Sequence, residues 1–110
     1  MTAKEMRGEP LTPRDLLPQW ELLAMLGEEA AELAQAALKL RRVLDNLNPT
    51  RISYTEAVRN LNEEWADVLL TIRQLSLINE EEVLMFMHQK NERWVNHLIQ
   101  SREEEERGKK

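Results

Sequence analysis

The chain has 110 residues, of which 42% are hydrophobic and 32% charged, and it contains no cysteine. These values predict one globular domain, and the lack of thiols excludes disulfides and thiolate metal sites. The formal charge of −5 argues against a nucleic-acid polymer as partner. No apolar run approaches the roughly 20 residues that span a bilayer, and no signal-peptide pattern opens the chain, so we expect a cytoplasmic protein with no membrane partner.

Residues 1–18 are predicted to form an irregular lead-in, since three of the four prolines fall there. Within it, Thr12 and Pro13 predict one short helical turn, with the threonine as its cap. A long helix rich in Ala, Leu, Glu, Gln and Lys is predicted from Gln19 to about Leu44. The sequence Asn-Leu-Asn-Pro then predicts a break.

A second helix is predicted to begin after Ser53 or Thr55, because Ser53 and Glu56 have the spacing of a capping box. No proline interrupts the chain beyond this point. The helix is expected to reach about Leu77, where Asn79 predicts a turn.

The third helix is predicted to begin at three glutamates, 80–82, which place negative charge at the helix N-terminus. It should run to about Gln100, and the charged tail 102–110 is expected to be either a solvated helix end or disordered. The sequence therefore predicts an all-α fold, with a single helical domain over 19–101. Its long apolar helix faces favour completion of the core by a second copy.

Two carboxylates lie where the first long helix should be apolar. With Glu29 at the origin of a helical wheel, the leucines of the apolar stripe lie within roughly 60° of it: Leu22, Leu26, Leu33 and Leu40. Glu32, three residues on, lies at the edge of this stripe. The alternative is an ordinary solvated helix face, which also carries glutamates at this spacing.

The second helix repeats the arrangement with Glu64 and Asp67. The apolar residues Leu61, Val68, Ile72 and Leu75 lie within roughly 80° of Glu64. Converging carboxylates repel unless a cation binds them, and hard oxygen ligands without histidine or cysteine favour Mg²⁺, with Mn²⁺ as the alternative. The sequence therefore predicts a divalent-metal site between the two helices.

These residues resemble the pattern of the MazG-like, all-α nucleoside triphosphate pyrophosphohydrolases. The family's EExxE is matched at 28–32, its ExxD at 64–67, and its lysine-containing third element by Lys90-Asn91-Glu92-Arg93. The resemblance implies that Glu29, Glu32, Glu64 and Asp67 bind Mg²⁺. It also implies hydrolysis of a nucleoside triphosphate to monophosphate and pyrophosphate by a homodimer or homotetramer.

Further roles follow from the same resemblance. Glu28 would assist the attacking water, and Lys90, Asn91 and Arg93 would approach the phosphates. From its place roughly 60° from Met87 on the wheel, Lys90 faces either a pocket or solvent.

Two other residues are candidates for substrate binding. Lys39 lies on nearly the same face as Glu32 and would contact phosphate, or else face solvent. Trp20 would stack on a base, or else pack in a core or interface.

Three alternatives stay open from the sequence. The motif GEEAAE is also similar to phosphoribosyl-ATP pyrophosphohydrolase of histidine biosynthesis, a relative with the same helical fold. A non-catalytic helical oligomer that retains the acids, or binds nucleotide for regulation, is a second alternative. A purely structural bundle is the third, and it predicts no stabilisation by Mg²⁺.

Overall fold

The computed structural model describes residues 1–45 and 51–109. It contains two short and three long helices, with no strand in the described residues: α1 Ala3–Met6, α2 Pro13–Leu16, α3 Gln19–Asp45, α4 Tyr54–Arg73 and α5 Glu80–Gly108. The all-α prediction is confirmed. The predicted break at 46–49 lies outside the described residues.

Two N-terminal caps fix the starts of α4 and α5 as the sequence predicts. The Ser53 hydroxyl accepts a hydrogen bond from the Glu56 backbone N–H at 3.2 Å. The Asn79 side-chain oxygen accepts one from the Glu82 N–H at 3.1 Å. Each cap satisfies an amide that has no partner within the helix.

The ends of these helices differ from the prediction. Helix α4 ends at Arg73 rather than near Leu77, because Gln19 side-chain atoms accept from the Ser76 N–H at 2.9 Å and donate to the Gln74 carbonyl at 3.3 Å. Helix α5 continues past the predicted end to Gly108, since its tail is rich in Glu and Arg, which favour helix.

The chain divides into two compact units, Met1–Ser76 and Leu77–Lys110. The contacts of Gln19 join the start of α3 to the end of α4, so these two helices are antiparallel. The core between them is small and contains Leu22, Ala36, Ala57, Val68, Thr71, Gln74 and Leu75. The single domain predicted over 19–101 stays a prediction.

The lead-in contains the two short helices and is tied to the end of α4. Asp15 accepts from the Thr12 N–H at 2.7 Å and pairs with Lys4 at 3.0 Å, and these contacts lower its pKa from 3.8 to about 2. The Arg14 guanidinium donates to the Arg73 carbonyl at 2.6 Å. The predicted turn at Thr12 and Pro13 is confirmed as α2.

Helix α5 forms most of the second unit, and none of its residues is buried. Large hydrophobic side chains are exposed along it: Val83, Leu84, Met85, Phe86, Met87, Trp94, Val95, Leu98 and Ile99. No helix in the described residues is both long and apolar enough for a membrane crossing.

Candidate metal centre

The antiparallel pairing of α3 and α4 brings carboxylates from both helices together. One carboxylate oxygen from each of Glu29, Glu64 and Asp67 lies within 4.8 Å of the others. We call these three residues the acid group. Glu29 comes from α3, while Glu64 and Asp67 lie almost one turn apart on α4, where residues three positions apart share a face.

Two oxygens of the acid group are buried without a donor. They are Oε2 of Glu29 and Oε2 of Glu64, in side chains that are otherwise partly exposed. A buried polar atom without a hydrogen-bond partner is costly, and for a carboxylate oxygen a bound cation removes that cost. Asp67 is exposed, so the acid group reaches solvent at this residue.

The acid group disfavours its own full ionisation. Burial raises the pKa of Glu29, and the nearby carboxylates of Glu32, Asp67 and Glu28 raise it further. Burial also raises the pKa of Glu64, followed by a hydrogen bond with Glu32 and repulsion from Glu32, Asp67 and Glu29. Like charges and desolvation act in the same direction here, and a divalent cation would oppose the repulsion.

The remaining predicted acids lie beside this group. Glu32 is exposed, and its carboxyl group is one of the neighbours that raise the pKa of Glu64. Glu28 is exposed and contributes to the charge around Glu29 without belonging to the three converging residues. Their predicted roles, metal ligand for Glu32 and assistance to water for Glu28, stay predictions.

A cavity of about 330 Å³ adjoins the acid group. Its lining residues come from α3 and α4: Glu32, Gln35, Ala36, Lys39, Asn60 and Glu64. Lys39 was predicted as a substrate contact, whereas Gln35 and Asn60 were not identified from the sequence. The available signal was helical spacing, because Gln35 follows Glu32 by one turn and Asn60 precedes Glu64 by one turn.

Three other predicted substrate contacts lie on α5, in the second unit, whereas the acid group lies in the first. Lys90, Asn91 and Arg93 are exposed on α5, where Lys90 and Arg93 line a shallow depression together with Trp94. Their predicted approach to phosphates stays a prediction.

Trp20 is 72% exposed at the start of α3. It lies about 14 Å along the helix axis from Glu29, on the side away from Lys39. The structure therefore does not bring Trp20 to the cavity, and its stacking on a base also stays a prediction.

The donor set of the acid group fits Mg²⁺ or Mn²⁺. All three converging ligand atoms are carboxylate oxygens, which hard divalent cations prefer, and no cysteine or histidine joins them. Two oxygens of the acid group are buried without a donor, and a bound cation would compensate them. Three protein ligands would leave coordination positions for water or for substrate oxygens.

No protein-family model, no curated protein and no solved structure matches the chain.

Proposed function

We propose that this chain is a Mg²⁺-dependent nucleoside triphosphate pyrophosphohydrolase of the MazG-like type, acting in the cytoplasm as a homodimer or homotetramer. The observation that carries the proposal is the convergence of Glu29, Glu64 and Asp67 from two helices, with two of their oxygens buried and lacking donors. Burying carboxylate oxygens without donors destabilises a purely structural helix pair, whereas a bound cation would compensate them.

The proposed reaction adds one water across the anhydride between the α and β phosphates and releases monophosphate and pyrophosphate. Bound Mg²⁺ would neutralise charge on the phosphate oxygens and orient the reacting groups. Glu29, Glu32, Glu64 and Asp67 would hold the ion. Glu28, exposed beside Glu29, would accept a proton from the attacking water.

Lys90, Asn91 and Arg93 are proposed to bind the phosphates, the lysine and arginine through their positive charge and the asparagine through its amide. Their positive and amide groups lie on one exposed stretch of α5, which gives them access to a ligand in solution. Arginine and lysine are the residues most often used to bind phosphate oxygens.

A non-catalytic helical oligomer is the second candidate. It is favoured by the exposed apolar side chains of α5, which indicate an assembly role whatever the acids do. Phosphoribosyl-ATP pyrophosphohydrolase activity is a variant of the first candidate, because it cleaves the same kind of anhydride, and a nucleotide panel separates the two.

The test is pyrophosphate release from a panel of nucleoside triphosphates and phosphoribosyl-ATP with Mg²⁺. We expect the wild type to be active and Glu64→Gln to lose activity by about 100-fold or more, because a metal ligand contributes several kcal/mol to the transition state. Glu63→Gln is the matched control, since Glu63 is the exposed neighbouring residue on α4 and lies outside the acid group.

Circular dichroism must show that both variants retain their helices. Full activity in a folded Glu64→Gln protein would refute the role assigned to Glu64. No activity of the wild type on any nucleotide would favour the non-catalytic oligomer.

A further inference from the structure

The cavity beside the acid group is lined almost entirely by hydrophilic side chains. Among the described residues, Ala36 is its one apolar lining residue, and no aromatic ring lines it. Sites for nucleobases are mostly built from apolar and aromatic surfaces, against which the flat base stacks. The lining therefore favours a hydrophilic part of the substrate over its base.

A bound divalent cation and the Lys39 ammonium group are the two positive charges that an anion in the cavity would meet. Glu32 and Glu64 line the cavity and also belong to the predicted ligand set, so the ion would offset part of their negative charge. Lys39 is the one cationic residue among the lining side chains. With the ion bound, the Lys39 ammonium group is the positive charge that the protein itself supplies to the cavity.

Two amides complete the lining. The side-chain NH₂ groups of Gln35 and Asn60 each provide two donors, and the Lys39 ammonium provides three. A terminal phosphate presents several acceptor oxygens and no apolar surface, so it matches these donors. Gln35 and Lys39 lie four residues apart on α3, where such residues are neighbours on one face.

We propose that Gln35, Lys39 and Asn60 bind the terminal phosphate of the substrate in this cavity. The inference rests on the proposed function and adds residues that distinguish triphosphates from diphosphates. A diphosphate reaches the metal but leaves the cavity without a phosphate, so it loses the contacts to Lys39 and the amides.

The first test measures binding of inorganic tripolyphosphate, in the presence of Mg²⁺, by isothermal titration calorimetry. We expect Lys39→Met to bind about 10- to 100-fold more weakly than wild type, which is the usual effect of losing a hydrogen bond to a charged group. Asn60→Leu, which removes a neutral donor, is expected to have a smaller effect of about 3- to 10-fold.

Arg41→Met is the matched control. Arg41 lies two residues from Lys39 on the same helix, points away from it on the wheel, and makes only a 3.9 Å ion pair with Asp45 at the exposed surface. The Arg41→Met substitution removes one positive charge from the protein, as Lys39→Met does. Its tripolyphosphate affinity should equal that of the wild type.

The second test compares hydrolysis of a nucleoside triphosphate and the matching diphosphate. Lys39→Met should lower kcat/KM for the triphosphate by about 10-fold or more and leave that for the diphosphate unchanged. Unchanged tripolyphosphate binding in both variants would overturn the inference. So would weaker binding of a nucleoside monophosphate with tripolyphosphate binding intact, because the cavity would then hold the nucleoside.

These outcomes separate the two proposals. A wild type that binds tripolyphosphate through Lys39 but hydrolyses no nucleotide would refute only the pyrophosphohydrolase function. A wild type that hydrolyses triphosphates with no effect of Lys39→Met on binding or rate would refute only the phosphate assignment. A wild type that shows no tripolyphosphate binding overturns the assignment directly.

Discussion

Glu29 and Glu64 have raised pKa values, and this gives the metal-free protein a defined pH dependence. A carboxyl group whose pKa is higher in the folded than in the unfolded state stabilises the fold at low pH. That stability is lost as the pH rises through the folded pKa. Asp15 acts in the opposite direction and in a lower window, between its unfolded value of 3.8 and about 2.

We therefore expect the melting temperature of the metal-free protein to fall between pH 5 and pH 8, and Mg²⁺ to reverse this loss at pH 8. A ligand at about 100 times its Kd stabilises the folded state by about 2.7 kcal/mol. Scanning calorimetry at both pH values, with EDTA or with Mg²⁺, measures the two effects.

Glu64→Gln should raise the melting temperature of the metal-free protein at pH 8, because it removes a charge that repels Glu29 and Asp67. It should also abolish the response to Mg²⁺. Glu63→Gln is expected to change neither. A Glu64→Gln protein that still gains the full stabilisation from Mg²⁺ would show that the ion binds elsewhere.

The acid group shows how far single residues can be inferred from sequence. Glu29 and Glu64 interrupt an apolar stripe on their helices, and that conflict between position and chemistry is visible without coordinates. Gln35 and Asn60 make no such conflict, since amides are common on exposed helix faces. Only the pairing of α3 with α4 shows that they line one cavity.

At the scale of helices, local hydrogen bonds set the starts of α4 and α5, whereas a tertiary contact sets the end of α4. The cap at Ser53 can be predicted from the sequence, because a serine hydroxyl accepts from the backbone N–H of Glu56, three residues later, without help from the rest of the chain. The end of α4 depends on Gln19, which is distant in sequence and bonds both Gln74 and Ser76. The local sequence pattern, which does not include Gln19, therefore predicted the end of α4 too late, near Leu77 instead of Arg73.

Ser53→Ala is expected to destabilise the protein by about 1 kcal/mol, because the N–H of Glu56 loses its acceptor. For a domain of this size the melting temperature should fall by about 4–8 °C. Thr55→Ala, two residues further on and exposed, is the control. It should leave the melting temperature unchanged or slightly higher, because alanine favours helix over threonine.

Thermal unfolding followed by circular dichroism at 222 nm (the usual helix band) is the measurement for both variants. Equal melting temperatures for wild type and Ser53→Ala would mean that packing, and not the cap, fixes the start of α4.

At the scale of the whole molecule, α5 is a long helix that carries many exposed apolar side chains. None of its residues is buried, and Leu98 and Trp94 are more than half exposed. A long helix with an apolar stripe gains most of its stability from packing that stripe against a partner. The sequence predicted oligomerisation for this reason, and that prediction stays open.

Sedimentation velocity should show the wild type as a dimer or tetramer, and Leu98→Glu should shift it toward a smaller species. The introduced charge would lie in the apolar stripe, where burial without a partner is unfavourable. Asn96→Glu adds the same charge about 160° away from Leu98 on the wheel and is the control. A wild type that sediments as a monomer would refute assembly.

The exposure of Asp67 has a consequence for how an ion enters and leaves the acid group. Glu29 and Glu64 are partly buried between the helices, while Asp67 faces solvent. An ion bound by all three residues could therefore dissociate into solvent without any separation of α3 from α4. The centre should exchange its cation quickly and lose it to a chelator. The metal content of the purified protein would then depend on the metal ions in the purification buffer and not on those bound in the cell.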